Sequence, residues 1–300
     1  MYSARADVRE KIKGSNITAI LLSMRPRQWT KNMFIFAGII FSQNLFDLNS
    51  FLKVLAGFFI FSFISGCVYI INDINDREED KKHPVKRYRP IAAGRLSMRQ
   101  ALTTVVLLFL FSITAAFFIN RLFGVVTLVY FLLIGFYTFY LKQLVIIDVL
   151  TIASGFLLRA VAGVVIVEAF ISPWLIVCTV LLALFLALSK RRHEISLLKE
   201  DAVSHRSVLE EYSIPFLDQM ITIVSSGTII AYFLYTFSSD KSVYLMATVP
   251  FVIYGIFRYL YLIHKHKRGG SPESVLLEDR PLLINIIFWA LTAVFILYFT

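Results

Sequence analysis

Cysteine and charged residues are both scarce in this chain. Its 300 residues include 2 cysteines, Cys67 and Cys178, and each falls in an apolar stretch without a partner at metal-ligand spacing. A disulfide framework and a thiolate metal site are therefore excluded, and both residues are interpreted as small hydrophobes. Charged residues make up 17% of the chain, against about 25% in soluble globular domains. So little charge argues against a water-soluble domain.

Apolar residues are correspondingly abundant, at 58% of the chain with a mean hydropathy of +0.72. One soluble core cannot bury this much apolar surface, so the bilayer must be the solvent. A membrane core of about 30 Å needs roughly 20 apolar residues per helix. We therefore predict an all-α integral membrane protein with nine transmembrane helices, near residues 32–47, 51–71, 98–119, 122–140, 144–168, 172–189, 216–237, 242–263 and 282–299.

The start of the chain lacks the features of a secretory signal. Its first apolar stretch, Ile17 to Met24, is short and precedes the basic residues Arg25, Arg27 and Lys31 instead of a cleavage site of small residues. This pattern predicts a cytoplasmic, interfacial segment over residues 1–31. Residues 32–300 are then one nine-helix transmembrane catalytic domain.

The net charge of +10 is distributed unevenly along the chain. Alternate segments (1–31, 73–100, 141–143, 190–215 and 264–281) hold 7, 8, 1, 5 and 4 of the 30 Lys and Arg residues. The positive-inside rule places these segments in the cytoplasm, with the C-terminus outside and the chemistry at the inner face of the plasma membrane. The charge therefore signals topology and anionic headgroups, and we expect no nucleic-acid partner.

A run of acidic residues follows the second predicted span directly. If that helix continues, Asp73, Asp76 and Asp80 recur at three- and four-residue steps and stack on one face, with Asn72 beside them. Three carboxylates held so close repel one another unless a cation lies between them. Mg²⁺ suits such a site, because it binds one or two carboxylates together with phosphate oxygens. The alternative is a solvated acidic loop that merely ends the helix.

A dense basic loop follows the acidic run. Lys86, Arg87 and Arg89 lie between the prolines and the glycine that fix the path of this loop. A metal site beside a cluster of cations is the pattern expected where a diphosphate is bound and its departing charge is stabilised. Positive-inside anchoring accounts for part of this charge as well.

Ionisable residues within the predicted spans are costly and call for a role. Asp148 and Arg159 lie three helical turns apart on one face of the fifth span. Asp148 is a candidate for joining the metal site or orienting a substrate hydroxyl. Arg159 is a candidate substrate ligand or a structural partner of a carboxylate such as Glu168. Near the end of the fourth span, candidate phosphate ligands or interfacial anchors are Tyr137, Tyr140 and Lys142.

The pattern NDxxDxxxD at 72–80, followed by HPxKRxRPIAAG at 83–94, resembles the first signature of the UbiA-type membrane prenyltransferase superfamily. The resemblance runs from about Arg25 to the C-terminus. It implies a nine-helix bundle with a central cavity open to the cytoplasm and Mg²⁺-assisted departure of a diphosphate.

The second half departs from the common pattern of that superfamily. Where typical members carry a second aspartate-rich motif, this chain has Ser189-Lys190-Arg191-Arg192-His193-Glu194. Arg and Lys bind phosphate oxygens without a metal, so Lys190, Arg191 and Arg192 suit a second phosphate-bearing substrate. One branch, the decaprenyl-phosphate phosphoribosyltransferases, resembles this description closely. The segment 25–32 also matches that branch, and its Lys31 is a further candidate for substrate binding.

The resemblance implies transfer of 5-phosphoribose from phosphoribosyl diphosphate to a polyprenyl phosphate, with cell-wall pentose assembly as the wider setting. The first alternative is an aromatic or quinone-precursor prenyltransferase that uses a prenyl diphosphate. The second is a transporter of an anionic metabolite, which the short outer loops disfavour. We expect no Ser-His-Asp or Cys-His catalytic set. A homo-oligomer is compatible with the sequence.

Overall fold

The computed structural model describes residues 16–198, 209, 211–238, 243–266 and 272–300. Residues 1–15 of the predicted segment 1–31 lie outside the described residues. Within the described part every regular element is helical. The α-helices are α1 (Asn16–Ser23), α2 (Phe36–Phe41), α3 (Leu48–Asn75), α4 (Arg77–Lys82), α5 (Met98–Ile119), α6 (Arg121–Phe139), α7 (Ile147–Ile166), α8 (Pro173–Leu198), α9 (Ile214–Ser238), α10 (Val249–His266), α11 (Pro272–Glu278) and α12 (Arg280–Phe299). Short 3-10 helices cover Pro26–Ile35, Lys86–Tyr88, Leu141–Gln143 and Val243–Thr248.

Eight helices of the described residues are long and apolar enough to cross a membrane, namely α3, α5 to α10 and α12. The chain is therefore a multi-pass membrane protein, and eight of the nine predicted spans correspond to these helices. Polar residues at the ends of the apolar runs begin the helices. Asp47 accepts a hydrogen bond from the Ser50 N–H at 2.9 Å, and Asn120 caps α6 by accepting one from the Leu122 N–H at 2.8 Å.

The first predicted span, 32–47, is not one long α-helix. Residues Pro26–Ile35 form a 3-10 helix, and α2 adds six residues before the chain turns at Ser42. Within the predicted span, the four 3-10 residues 32–35 rise about 8 Å and the six residues of α2 about 9 Å. Their sum is less than the thickness of a bilayer core, and the ninth span stays a prediction.

The 3-10 helix and α2 together, residues 26–41, are called the first segment, and its backbone packs directly against the backbone of α7. A Cβ added at Gly163 would lie 1.8 Å from the Ile35 carbonyl oxygen, and one added at Gly38 would lie 2.3 Å from the Gly163 carbonyl carbon. Membrane helices use small residues in this way, because close approach increases van der Waals contact. These glycines therefore set the distance between the first segment and α7, which is largely buried.

We expect Gly163→Ala to lower the free energy of unfolding by about 1–3 kcal/mol, since the methyl group forces two backbones apart. The measurement is thermal or denaturant unfolding in detergent. Gly135→Ala is the matched control, because a Cβ at that helical position has no neighbour within 4 Å. Unchanged stability in Gly163→Ala would contradict the close packing.

Helices that follow one another in the chain are also neighbours in space from α5 to α10. Hydrogen bonds also join the residues after α2 to the last helix, α12. Gln43 donates to the Leu297 carbonyl at 2.7 Å, and the Leu45 N–H donates to the Tyr298 hydroxyl at 2.8 Å. The predicted central cavity open to the cytoplasm stays a prediction. One end of the bundle, called the polar mouth, carries the C-terminal ends of α3, α6 and α8 and the start of α7.

Candidate functional site

The end of α3 carries the first predicted site residues. Asp73 lies in its last turn and is 2% exposed. The helix ends at Asn75, and Asp76 has φ −89° and ψ 9°. The condition that this helix continues through Asp80 is therefore not met, because the chain leaves the helical conformation at Asp76. Asp80 lies on α4 and is also 2% exposed, so the bend still buries both carboxylates at the polar mouth.

Two arginines hold the buried carboxylates. The Asp73 Oδ1 atom accepts hydrogen bonds from Arg25 Nη2 and, at 3.1 Å, from Arg89 Nη1. The same Arg89 nitrogen donates to Asp80 Oδ2 at 2.6 Å. One cationic nitrogen thus bridges two carboxylates from different helices. The structure therefore has a position at the polar mouth where positive charge is favourable.

The third carboxylate has a lysine partner. Asp76 accepts hydrogen bonds from Lys142 Nζ at 3.2 Å and from the Asn72 amide at 3.0 Å. Lys142 follows α6, so this contact ties the start of the α6–α7 connection to the end of α3. Three carboxylates are thereby faced by three cations, and we call this six-residue group the acidic cluster: Asp73, Asp76, Asp80, Arg25, Arg89 and Lys142.

The basic side chains of the loop between α4 and α5 lie in two different environments. Lys86 and Arg87 are exposed at the surface of the polar mouth, and the guanidinium of Arg87 lies over the neighbouring ring of Tyr88. Arg89 turns inward to the acidic cluster. Partial burial and the charge of Lys86 lower the pKa of His83. Its neutral ring accepts the Lys86 N–H at 3.2 Å, which helps to fix the loop.

A second buried ion pair joins α7 and α8. Asp148 is fully buried in the first turn of α7 and accepts hydrogen bonds from Arg191 Nε at 2.7 Å and the Tyr212 hydroxyl at 2.8 Å. Arg191, 1% exposed, also donates to Glu194 Oε2 at 2.5 Å and to the Tyr137 hydroxyl at 3.1 Å. The predicted site residues Asp148, Arg191 and Tyr137 are thus brought together. They connect α6, α7, α8 and the segment before α9.

Tyr212 also holds a strained turn at the start of α7. The Ile147 N–H donates to the Val145 carbonyl at 2.8 Å across Ile146, whose φ is 68° and ψ −44°. This is a γ-turn of the rare positive-φ kind. The Ile146 N–H donates to the Tyr212 hydroxyl at 2.7 Å. Burial raises the pKa of Tyr212, so its hydroxyl keeps the proton that it donates to Asp148.

The cations on either side of Arg191 differ in their surroundings. Arg192 is paired with Asp218 of α9, through Nε at 2.5 Å and Nη2 at 3.3 Å. Lys190 is partly exposed, and its ion pair with Glu194 in the described part of the chain is loose, at 3.9 Å. The positive charge of Lys31 acts on Lys190.

Arg159 lies deeper in the bundle and is 5% exposed. It donates to Asn32 Oδ1 at 2.7 Å, the Gly155 carbonyl at 2.8 Å and the Tyr130 hydroxyl at 2.7 Å. The described residues place no carboxylate in an ion pair with it, and Glu168 instead accepts from the residue that caps α6. The suggested pairing with Glu168 is therefore wrong. Arg159 fastens the first segment to α6 and α7.

The acidic cluster fits a divalent cation by its chemistry. Carboxylate and amide oxygens are the donors that Mg²⁺ prefers, and Asp73, Asp76, Asp80 and Asn72 supply them. Among the residues described, no three His, Cys, Asp or Glu side chains form a ready metal cage. The arginines lie between the carboxylates instead. The Arg89 nitrogen that touches Asp73 and Asp80 marks a position already suited to a cation.

Four residues of these clusters were not predicted as site residues from the sequence. Arg25 and Glu194 lie inside the motifs at 25–32 and 189–194, and those motifs were the available signal. Tyr212 and Asp218 had none, because folding brings them from the segment before α9 and from α9 itself to α7 and α8.

The fold and the site together define the class of protein: an all-helical membrane bundle whose carboxylates and cations gather at one end. Residues 32–287 match the UbiA prenyltransferase family, and the chain belongs to that family. Its fold is similar to that of a UbiA homolog from Archaeoglobus fulgidus bound to GPP and Mg²⁺. The TM-score is 0.72 at 18% identity, covering 93% of this chain and 99% of the other.

Within the family, the chain is similar over nearly its whole length to decaprenyl-phosphate phosphoribosyltransferases. The enzyme of that name from Mycolicibacterium smegmatis is 31% identical, over 95% of this chain and 94% of its own length. The Corynebacterium glutamicum enzyme of the same name is 32% identical, over 93% of this chain and 86% of its own length. These relatives match the branch predicted from the motifs.

Proposed function

We propose that the chain transfers 5-phosphoribose from phosphoribosyl diphosphate to a polyprenyl phosphate of the decaprenyl class and releases diphosphate. The observation that carries this proposal is the similarity, at 31% identity and over nearly the full length, to a decaprenyl-phosphate phosphoribosyltransferase. The loop at 189–194, cationic where typical family members have carboxylates, supports the same choice, because it suits a second anionic substrate.

The donor's diphosphate binds at the acidic cluster. Asp73, Asp76 and Asp80, with Asn72 assisting, would hold Mg²⁺, which would neutralise charge on the leaving diphosphate. Around it the chain's own cations, Lys86, Arg87, Arg89 and Lys142, take the remaining phosphate charge. The contacts of Arg89 with Asp80 and of Lys142 with Asp76, from the basic loop and from the connection after α6, support this assignment.

The acceptor's phosphate binds at the basic surface beside the Asp148–Arg191 ion pair. Lys31 and Lys190 supply positive charge from two different segments, and the charge of Lys31 acts on Lys190. Arg191 and Arg192, predicted as phosphate ligands, form ion pairs with Asp148 and Asp218. These ion pairs fix the part of α8 that carries Lys190. A phosphate monoester is already an anion, so its attack on the ribosyl C1 needs positioning more than it needs a general base.

The polar mouth lies at the cytoplasmic face, with the N-terminus inside and the C-terminus outside. The concentration of Lys and Arg in alternate segments of the sequence supports this orientation. The first segment then crosses the membrane as the ninth span. A soluble, charged donor reaches such a site from the cytoplasm, while the lipid acceptor enters from the bilayer.

Purified protein in lipid nanodiscs tests the function directly. With Mg²⁺, radiolabelled phosphoribosyl diphosphate and decaprenyl phosphate, we expect label to appear in the lipid fraction and to disappear when EDTA is added. A parallel reaction with a prenyl diphosphate and an aromatic acceptor should give no prenylated ring. Failure of the first reaction together with product in the second would replace the proposal by the aromatic prenyltransferase alternative.

A further inference from the structure

Arg25, a member of the acidic cluster, has an unusual backbone conformation. Its φ of 53° and ψ of 67° lie in the left-handed region, which a non-glycine residue adopts at some energetic cost. This conformation turns the chain between α1 and the 3-10 helix and sends the side chain to Asp73. The guanidinium also lies 5.0 Å from the ring centroid of Tyr69, one turn before Asp73 on α3.

The carboxylates of the acidic cluster are already neutralised by the chain's own cations. Asp73 has Arg25 and Arg89, Asp80 shares Arg89, and Asp76 has Lys142. Arg25 and Arg89 are about a quarter exposed, whereas Asp73 is buried. The carboxylates are therefore fixed, and the cations have room to move toward the mouth.

We propose that Arg25 and Arg89 are exchangeable counter-ions, which hold the carboxylates in the metal-free protein and turn to the substrate's diphosphate when a divalent cation takes their place. This inference rests on the proposed function, whose metal site it deepens. A divalent cation and a guanidinium cannot both sit against the same buried oxygens without strong repulsion. Phosphate oxygens offer the displaced arginines an equally good bidentate partner.

The exchange makes metal and diphosphate bind cooperatively. Metal alone must displace the arginines into solvent, so it binds weakly. Diphosphate gives the displaced arginines a partner and so strengthens metal binding, and the coupling is reciprocal. A chain without Arg25 loses the competitor for the metal and also a ligand for the diphosphate. The two affinities should therefore change in opposite directions, which a purely structural role does not produce.

The test uses the full chain in nanodiscs, with Mn²⁺ affinity measured by electron paramagnetic resonance and inorganic diphosphate affinity by calorimetry in the presence of Mn²⁺. We expect Arg25→Gln to bind Mn²⁺ alone roughly tenfold more tightly, and diphosphate roughly tenfold more weakly. Arg89→Gln should show the same pair of changes. Arg25→Lys, which keeps the charge, should stay near the wild-type Mn²⁺ affinity.

Arg95→Gln is the matched control, since Arg95 lies in the same basic loop but donates to the Tyr88 carbonyl instead of a carboxylate. It should leave both affinities unchanged. Equal or weaker Mn²⁺ binding by folded Arg25→Gln and Arg89→Gln, checked by size-exclusion chromatography and thermal unfolding, would overturn the exchange. A wild-type chain that binds no Mn²⁺ with or without diphosphate would overturn the metal site itself, while the transfer assay judges the function separately.

Discussion

Asp73→Asn is expected to reduce phosphoribosyl transfer on the order of a thousandfold, because it removes a buried metal ligand whose charge matters most as the diphosphate leaves. The variant should still fold. Asparagine has the size of aspartate, and its amide oxygen accepts a hydrogen bond from Arg25 or Arg89, both of which reach water. Initial rates of label transfer at saturating Mg²⁺, with a thermal unfolding curve for each protein, measure both effects.

Glu78→Gln is the matched control for Asp73→Asn. Glu78 belongs to the same acidic run but is exposed, and it contacts only Lys81 and Arg77 among the described cations. We expect its activity to stay near wild type, since an exposed ion pair contributes little. Near-normal turnover in folded Asp73→Asn would remove Asp73 from the metal site and leave its ion pairs with Arg25 and Arg89 a structural role only.

Arg191→Met is expected to destabilise the protein by about 3–5 kcal/mol, because it leaves the fully buried Asp148 carboxylate without its cation. Asp148→Asn should be less harmful, at about 1–3 kcal/mol. Arg191 keeps Glu194 as a counter-ion in that variant, and the amide still accepts from Tyr212. Denaturant unfolding in detergent gives the free energy of unfolding of each protein.

The double variant Asp148→Asn with Arg191→Met separates the ion pair from the rest of the cluster. If the pair is structural, the double variant should be more stable than the sum of the single effects predicts, because no charge is then buried alone. Arg192→Met, whose carboxylate partner Asp218 is partly exposed, serves as the control and should be milder. Wild-type stability in Arg191→Met, together with a raised KM for the lipid phosphate only, would make Arg191 a direct substrate ligand instead.

Helix positions followed from the sequence because hydropathy and helix length are local properties. The apolar run before Asp73 predicts α3, and the separate apolar runs 98–119 and 122–140 predict α5 and α6. The 3-10 helix at Pro26–Ile35 was not predictable in the same way. Its last residue, Ile35, lies against Gly163 of α7, more than a hundred residues away in the chain, and a local pattern does not show such a contact.

The candidate site was predictable by residue type but not by partner. The acidic run, the basic loop and the cationic 189–194 segment each stand out in the sequence, so Asp73, Arg89 and Arg191 could be named. Long-range pairing could not be inferred, because the sequence does not show that the guanidinium of Arg191 meets Asp148 across two helices. For the same reason the contact of Asp76 with Lys142, from the connection after α6, could not be inferred.

A structure of the protein in nanodiscs with Mn²⁺ and phosphoribosyl diphosphate, without the lipid acceptor, tests the central claim most directly. We predict the metal within about 2.0–2.3 Å of carboxylate oxygens of the Asp73, Asp76 and Asp80 group, with the diphosphate bound to that metal. Metal and diphosphate located elsewhere, with Asp73 still held by Arg25 and Asp76 by Lys142, would contradict the account.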